Sequence, residues 1–449
     1  MLTQRLLLAI SAPHLRLIKR ESRIVFPIMG RLVDRIEDVV VMSNVASKTL
    51  YADAGFQTGS LSSHTHTFKV AVLTRDEVMR CRHWAQAFAT ERKDHRYYEL
   101  VEDTIQPEFD FRYFVIQDES GEVLAVQPFF LLDQDLLAGT SRWMKTSADF
   151  IRRLWPRFMQ LRTLMVGCAA GEGHLDDNSE LPRPLHAQLL AAGITSHARD
   201  LKARLIVLKE FPAADRAVLA CFLGHGFTRV PSLPMTQVSI QYASFDEYMT
   251  KALSGNTRAK LRQKFRATAR LGSLEMSVLR DITPIVDEVY PLYLSVYERA
   301  TLRFEKLTKD YFSNIGRRMP DKVRFFVWRH EKKVVAFGLC MVEGSSIYSE
   351  YIGLDYSVAF QLNLYYIVVR DIMSWAIANG YQCYRNTGLN YEPKFHLRYL
   401  LDPLDLYVKH TSRVFNFALK YVLPLVEPTR YEKTLRRFPN YDELWPPKH

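Results

Sequence analysis

Arg112-Tyr113-Phe114-Val115 leads through Glu119 and a turn at Gly121 into Val123-Leu124-Ala125-Val126. Far downstream, Arg324-Phe325-Phe326-Val327 leads through Glu331 and Lys332-Lys333 into Val334-Val335-Ala336-Phe337. The two stretches share Arg, aromatic, Phe, Val, then Glu, then Val, aliphatic, Ala. Each reads as a β-hairpin: aromatic and β-branched residues, a polar turn, and a second such run. A pattern that returns after so long an interval is an internal repeat.

The repeat extends outward. The first hairpin is followed by an expected strand at Thr163–Val166, a helix at Leu185–Leu201, a strand at Arg204–Leu208, a helix at Ala213–Leu223 and a strand toward Ile240. The second is followed by a strand at Ser346–Leu354, a helix at Asn363–Ala378, a strand at Gln382–Arg385, a helix at Pro393–Leu401 and a strand at Leu406–His410. Strands mixed with helices in two units predict an α/β (α+β) chain of two tandem domains. The expected boundaries are a basic extension and linker over 1–65, a first domain over 66–245, a basic helical segment over 246–275, a second domain over 276–411, and a C-terminal helix and tail over 412–449. The apolar C-terminal stretch Val414, Phe415, Phe417, Ala418, Tyr421, Val422 and Leu425 is expected to pack on the second domain, a membrane or partner surface being the other reading.

Length and composition agree. The chain has 449 residues, 48% apolar and 24% charged, with 19 Gly and 20 Pro. These values exclude a disordered, collagen-like or disulfide-scaffold protein. Five widely spaced cysteines without a C-x-x-C pair argue against a disulfide framework or zinc ribbon, and point to a reducing, cytoplasmic setting. No run reaches the ~18 apolar residues of a membrane span. The apolar run Leu6–Ile10 is followed at once by Arg16, Lys19, Arg20 and Arg23, the wrong flank for a cleaved signal, and is read as part of a basic extension, an organellar presequence or a membrane-surface helix being the other readings.

The formal charge of +11 implies an anionic partner. Much of it is concentrated in one place. Met249–Leu274 holds no acid but carries Lys251, Arg258, Lys260, Arg262, Lys264, Arg266 and Arg270. Arg258, Arg262, Arg266 and Arg270 are four apart, so a helix would stack them as a cationic ridge beside Leu261, Phe265 and Ala269. Such a ridge repels itself unless an anion neutralises it, and fits tRNA, a nucleotide sugar, a carrier phosphate or a membrane surface. No motif for sequence-specific DNA binding accompanies it.

The element order, with Cys221-Phe222-Leu223-Gly224-His225-Gly226-Phe227 ending a helix on a Gly-Phe step, resembles the GNAT acyltransferase fold. Two such units around Ser254-Gly255-Asn256-Thr257-Arg258-Ala259-Lys260-Leu261-Arg262-Gln263-Lys264 are similar to the Fem-type aminoacyltransferases and to peptidoglycan-building N-acyltransferases of bacteria. The resemblance covers about residues 68 to 411. It implies transfer of an acyl or aminoacyl group from an acyl-CoA or aminoacyl-tRNA donor to an amine, with no tightly bound cofactor and no metal. The glycine-rich pyrophosphate loop usual in GNAT enzymes is absent: Ala359-Phe360-Gln361-Leu362-Asn363-Leu364 stands in its place, and the first unit has Gly167-Cys168-Ala169-Ala170-Gly171-Glu172-Gly173.

Several residues follow as candidates. Tyr348, Glu350 and Tyr351 lie on the strand where GNAT-like domains open to the donor; a buried Glu could take the amine proton and a Tyr could return one to the leaving group. Alternation would place Tyr348 and Glu350 on one face and Tyr351 on the other, and the alternative for Glu350 is an ion pair with Arg. Asn386 is expected in the catalytic loop after the next strand, with Lys394 meeting an anionic substrate. Gly171 and Gly173 could present backbone N–H groups to a phosphate, or simply satisfy a tight connection. Glu172 and His174, with Asp176 and Asp177, read as a solvated acidic loop sooner than as a metal site, and a general base fits them better than a metal. Arg258, Arg262, Lys264 and Arg266 complete the substrate-binding set.

The resulting expectation is an N-acyltransferase acting on an amine of a cell-envelope precursor or specialised metabolite. The first domain and the ridge would hold an anionic acceptor. The alternatives are an acetyl-CoA-type small-molecule N-acetyltransferase and a catalytically inactive tandem scaffold binding RNA or a membrane surface.

Overall fold

The computed structural model describes residues 67–105, 109–135, 160–300 and 305–446. The expected N-terminal extension and nearly all of its linker lie outside these residues. The chain builds two seven-stranded sheets. The first has the order β1 (Lys69–Leu73), β2 (Asp110–Gln117), β3 (Val123–Asp135), β4 (Gln160–Val166), β5 (Leu205–Pro212), β14 (Leu404–His410), β6 (Thr228–Pro231). The second runs β13 (Leu400–Asp402), β7 (Met235–Ser239), β12 (Cys383–Asn386), β11 (Ser346–Leu354), β10 (Lys333–Glu343), β9 (Val323–His330), β8 (Leu274–Leu279).

The repeat holds from the hairpin through the parallel pair of strands in each sheet. β2–β3 and β9–β10 are the two hairpins. Glu331 (φ 49°) and Lys332 (φ 67°) are both left-handed, the backbone that a two-residue type I′ hairpin turn requires. β4 runs parallel to β5, and β11 parallel to β12. A parallel pair needs a crossover. α2 (Arg183–Asp200) supplies one, after α1 (His95–Thr104) has followed β1; α7 (Leu364–Ala378) supplies the other. Before α7 come α3 (Phe245–Ala252), α4 (Gly255–Ala269), α5 (Val286–Arg299) and α6 (Lys309–Arg318). After it come α8 (Tyr391–His396) and α9 (Arg413–Val426).

Sequence order fails at the last strands. The chain leaves the first sheet at Pro231 and enters the second at Met235; it returns across Pro403, between β13 and β14. β14, expected to finish the second unit, therefore lies between β5 and β6 of the first, and β7 lies between β12 and β13 of the second. Proline cannot donate to a strand ladder, so Pro231, Pro234 and Pro403 mark the points where the chain changes sheets. The two crossings are adjacent: Ser232 N donates to Leu404 O at 2.8 Å, and Ala213 N to Pro403 O at 2.9 Å. The expected limits at 245 and 411 therefore do not coincide with the limits of the sheets. The helix expected at Pro393–Leu401 is also cut to Tyr391–His396, because Leu400–Asp402 pairs with β7.

Three apolar clusters follow from this arrangement. α2 backs the first sheet through Leu190, Ala191 and Ile194. α7 backs the second through Ile367, Val368 and Ile372. The third cluster is shared: Val115 and Phe130 of the first sheet meet Val327 and Leu339 of the second around α1, α5 and α6. The halves thus close on one another, and a polar seam runs through that shared core. α9 packs on β14 and β6 of the first sheet, not on the second unit as expected, because the strand exchange carries the C-terminal chain back there.

His186, in the first turn of α2, is fully buried and neither ring nitrogen has a hydrogen-bond partner. Burial pushes its pKa down to about 4. The unfolded chain therefore takes this proton first. Stability is unaffected above about pH 6.5 and falls between about pH 6.5 and about pH 4, by roughly 1.4 kcal/mol per unit. His186→Leu is expected to remove this component: chemical denaturation should show its stability relative to wild type rising from pH 8 to pH 5.

Candidate active site

β11 carries an irregularity that sequence alternation does not anticipate. Its register against β10 passes from Cys340↔Ser349 to Leu339↔Tyr351, leaving Glu350 as the extra residue of a β-bulge. A bulge re-aims the side chains on either side of it. Tyr348, Glu350 and Tyr351 consequently all reach the seam, instead of dividing between two faces. The Tyr348 ring lies 3.7 Å from the Arg92 guanidinium, and Tyr351 packs in the shared core while Ile352 packs in the cluster behind the second sheet.

Glu350 meets two cations there. Its Oε1 accepts from Arg92 Nε at 2.7 Å, and its Oε2 is 3.3 Å from Lys93 Nζ. Glu172 closes the square: it pairs with Arg92, and its Oε2 accepts from Lys93 Nζ at 2.8 Å. All four residues are buried. Burial alone would raise the Glu172 carboxyl, but Arg92 and Lys93 hold it well below the usual carboxylate range. His174 lies beside Glu172, 3.4 Å away. The expected general bases Glu350 and Glu172 are therefore ion-pair partners in a buried cluster joining the halves, which Glu343 extends at 3.7 Å from Arg92. Buried charges persist only when paired in this way.

The glycine loop is equally occupied. A Cβ on Gly171 (φ 113°) would collide with Lys93 Nζ, and Gly171 O accepts from Lys209 Nζ. A Cβ on Gly173 would stand 2.7 Å from Lys209 O and from the Phe211 ring. These glycines permit close packing of the chain on β5; they do not form an open phosphate cradle. Lys394 also turns inward, donating to Thr387 O at 2.6 Å and Leu389 O at 2.9 Å. Burial pushes its ammonium down to about 7. It ties down a loop in which Leu389 (φ 74°) and Asn390 (φ 49°) are left-handed, and does not reach toward an anion.

Asn386, expected in the loop after the strand, lies within β12 itself. It is the last matched residue of β12, opposite Ser349 of β11 and Thr236 of β7. Beyond it β12 ends, while β11 continues to Leu354 with no strand on that edge. A slot thus opens between two parallel strands. At the inner end of the slot the Asn386 side chain is buried beside the Tyr384 hydroxyl, and Thr236 lies opposite Asn386 on β7, on the side of β12 away from β11.

A second feature of the seam was not visible in the sequence. Glu305, between α5 and α6, accepts a hydrogen bond from Tyr351 OH at 3.0 Å. Burial raises its carboxyl above the usual range, with Lys209 opposing the shift. Tyr311 and Tyr97 share a hydroxyl–hydroxyl hydrogen bond of 2.9 Å, and their OH groups line the same core. Glu305 belongs to no recognisable motif; only its placement beside Tyr351 marks it.

The ridge forms as expected. Ser254 caps α4 by accepting from Thr257 N, while Leu261 and Thr268 are its buried residues. Lys264 Nζ donates to Asn363 Oδ1 at 3.1 Å, and Thr268 Oγ1 to Leu362 O at 2.9 Å, which fixes α4 beside the start of α7. Among the described residues, no carboxylate forms an ion pair with Arg258, Lys260, Arg262, Lys264, Arg266 or Arg270; the neighbouring Lys251 pairs with Glu247. The amides of Leu362, Asn363 and Leu364 donate to the carbonyls of Val358, Phe360 and Ala359. These three amides of the connection leading into α7 are thus used internally, and α4 side chains place positive charge next to it.

Residues 255–394, which include α4, β8 to β12 and α7, match the family model described as Acetyltransferase (GNAT) domain. This segment is GNAT-like. The first half repeats its order of hairpin, third strand, crossover helix and parallel strand, so the chain carries two GNAT-like domains with exchanged strands. No curated protein matches the chain. Solved structures similar to it include FemX, at 13% identity over 75% of this chain and 96% of that one, with a TM-score of 0.45. L-PGS from Bacillus licheniformis gives 13% identity, 74% and 95% coverage, and 0.42. A tandem GNAT protein from the clavulanic acid biosynthesis pathway gives 10%, 77%, 99% and 0.43. At these identities no residue role is transferred from them. In the GNAT segment, the slot beyond Asn386, the Tyr351–Glu305 pair and the ridge stand on this chain's own geometry.

Proposed function

We propose that the chain is an N-acyltransferase whose chemistry takes place in the second domain, on an acyl or aminoacyl group delivered by a polyanionic carrier such as an acyl-CoA or an aminoacyl-tRNA. The acceptor is an amine of an envelope precursor or specialised metabolite. The observation that carries this reading is the slot between β11 and β12, which opens where their parallel pairing ends at Ser349 and Asn386. The donor's activated arm enters there, along the edge of β11 that β12 leaves uncovered. The corresponding place in the first domain, beyond Val166 and Leu208, is filled by Lys93 and Phe211 packed on Gly171 and Gly173.

The acceptor nitrogen attacks the activated carbonyl, and the C–S or C–O bond to the carrier breaks. Glu305 takes the amine proton through Tyr351, and the same pair returns a proton to the departing sulfur or oxygen. A carboxyl raised by burial is suited to that task near neutral pH. Holding both reactants in one slot supplies a large share of the rate. The ridge binds the carrier, since α4 is fixed beside the helix that follows the slot. This moves it from the acceptor side to the donor side of the reaction.

The test is a transfer assay with acyl-CoAs and with aminoacyl-tRNAs, at two salt concentrations. Arg262→Glu/Arg266→Glu is expected to raise the KM for the productive donor about tenfold or more and to flatten its salt dependence. The kcat and melting temperature should stay close to wild type, because both side chains are exposed. Turnover with an unchanged donor KM would remove the ridge from donor binding. Absence of turnover and of binding with every donor would sink the acyltransferase reading.

A further inference from the structure

α9 has an unusual outer face. Asn416, Leu419 and Leu423 turn toward β14 and β6, with Leu423 fully buried. Val414, Phe415, Phe417, Tyr421, Val422 and Leu425 point away, 38 to 67% exposed. Only twelve large apolar side chains are conspicuously exposed among the described residues; these six and Tyr431 account for seven. Scattered exposed apolar residues need no explanation, but a contiguous patch marks an interaction surface.

The exposed charges around the patch are five cations and one acid, Asp200. α9 contains no acidic residue and carries Arg413 and Lys420. Beside its start lie the end of α2 and the turn after it: Arg199 donates to Thr411 O at 3.3 Å, and Thr411 N donates to Arg204 O at 2.9 Å. Arg199, Lys202, Arg204, Arg413 and Lys420 are all exposed, and among the described residues none pairs with a carboxylate; Asp200 is the acid next to them in the chain. An apolar helix face carrying Phe, Tyr and Leu, bordered by unpaired cations, complements the acyl boundary and anionic headgroups of a bilayer. A second copy of the same face would match the apolar surface but would set these cations against one another.

We propose that α9 is a peripheral membrane-docking helix, lying in the headgroup region of an anionic bilayer with Phe417, Tyr421 and Leu425 inserted and the Arg199–Arg204 and Arg413–Lys420 cations against the headgroups. No helix among the described residues is long and apolar enough to cross a membrane, so the contact is one of lying on the surface. The proposal does not depend on which donor the slot accepts.

The test is sedimentation of the full chain with vesicles of phosphatidylcholine alone and of phosphatidylcholine mixed with phosphatidylglycerol. Wild type is expected to pellet with the mixed vesicles. Phe417→Ser/Leu425→Ser should weaken that association about tenfold or more. Arg413→Glu/Lys420→Glu should remove the preference for phosphatidylglycerol. All four positions are exposed, so both variants should melt like wild type, and the charge variant tests the docking mode should the apolar variant misfold. Lack of vesicle association by wild type overturns the proposal. So does association that survives loss of the apolar residues, which would be charge attraction through α4 alone. A dimer in sedimentation analysis that the apolar variant converts to monomer would make this face an interface between copies, and also overturns it.

Discussion

Replacing Glu305 with Gln is expected to lower the rate constant for acyl transfer about 100-fold or more, the usual range for a lost acid–base group. Tyr351 OH donates to Glu305 Oε1 at 3.0 Å, so Tyr351→Phe should also slow transfer, and it should leave the carboxyl without that partner. Stability should move in the other direction. Burial raises the Glu305 carboxyl. A carboxyl whose folded-state pKa lies above its unfolded value favours the fold fully below the unfolded value and loses that contribution as pH rises through the folded one. At neutral pH a neutral Gln is therefore expected to melt at the same temperature as wild type or higher. The pH profile supplies the third readout. In wild type, kcat/KM should fall on the acid side above the ordinary carboxylate range, as Glu305 takes a proton and ceases to be a base. E305Q should lack that limb. A variant that is inactive because it is unfolded would melt early; one with wild-type turnover would remove Glu305 from the chemistry.

The β-hairpin repeat was legible because its information is local. Aromatic and branched residues at alternate positions make strands whatever surrounds them, and Phe114 and Phe326, which head the two copies, both end up fully packed. α4 was legible for the same reason: a four-residue spacing of cations is a property of one helix. Three features escaped because they depend on residues far apart in the chain. The exchange of β7 and β14 is set by where Pro231, Pro234 and Pro403 interrupt the ladders, and no local pattern says which sheet the next strand will join. The bulge at Glu350 is a register event between two strands; alternation read from β11 alone divides Tyr348 from Tyr351, while the register against β10 brings them together. Lys394 looked like a substrate ligand because a lysine in a polar loop is usually solvated, yet three-dimensional closure buries it against the carbonyls of Thr387 and Leu389. Asn386 was legible by position, at the end of the second strand of the parallel pair. Glu305 was not, since its significance comes only from the hydroxyl of Tyr351.

Removing one member of the ion cluster should produce the largest stability change in the protein. Arg92→Met leaves Glu350 and Glu172, both buried, with Lys93 as the remaining cation of the square. Breaking a buried pair by deleting one partner typically costs about 3–5 kcal/mol, because an uncompensated charge stays behind. The cluster also joins the halves: Arg92 and Lys93 precede α1, Glu172 follows β4, and Glu350 belongs to β11 of the other domain. Glu350→Gln should destabilise through the same mechanism, leaving Arg92 and Lys93 with Glu172. Denaturant titration should show the midpoint falling for either variant. Arg92→Met/Glu350→Gln should cost less than the sum of the singles, since contacting residues in one network do not behave additively. Kinetics then separate Glu350 from Glu305. Glu350 Oε1 is held by Arg92 Nε at 2.7 Å and Oε2 faces Lys93 Nζ at 3.3 Å, leaving neither oxygen open to an amine. The folded fraction of E350Q should therefore transfer acyl groups within a few-fold of wild type, in contrast to E305Q. If E350Q instead melts like wild type and loses turnover, Glu350 is the base and the cluster serves to shape its chemistry. Lost stability with retained turnover makes the square the joint between the domains.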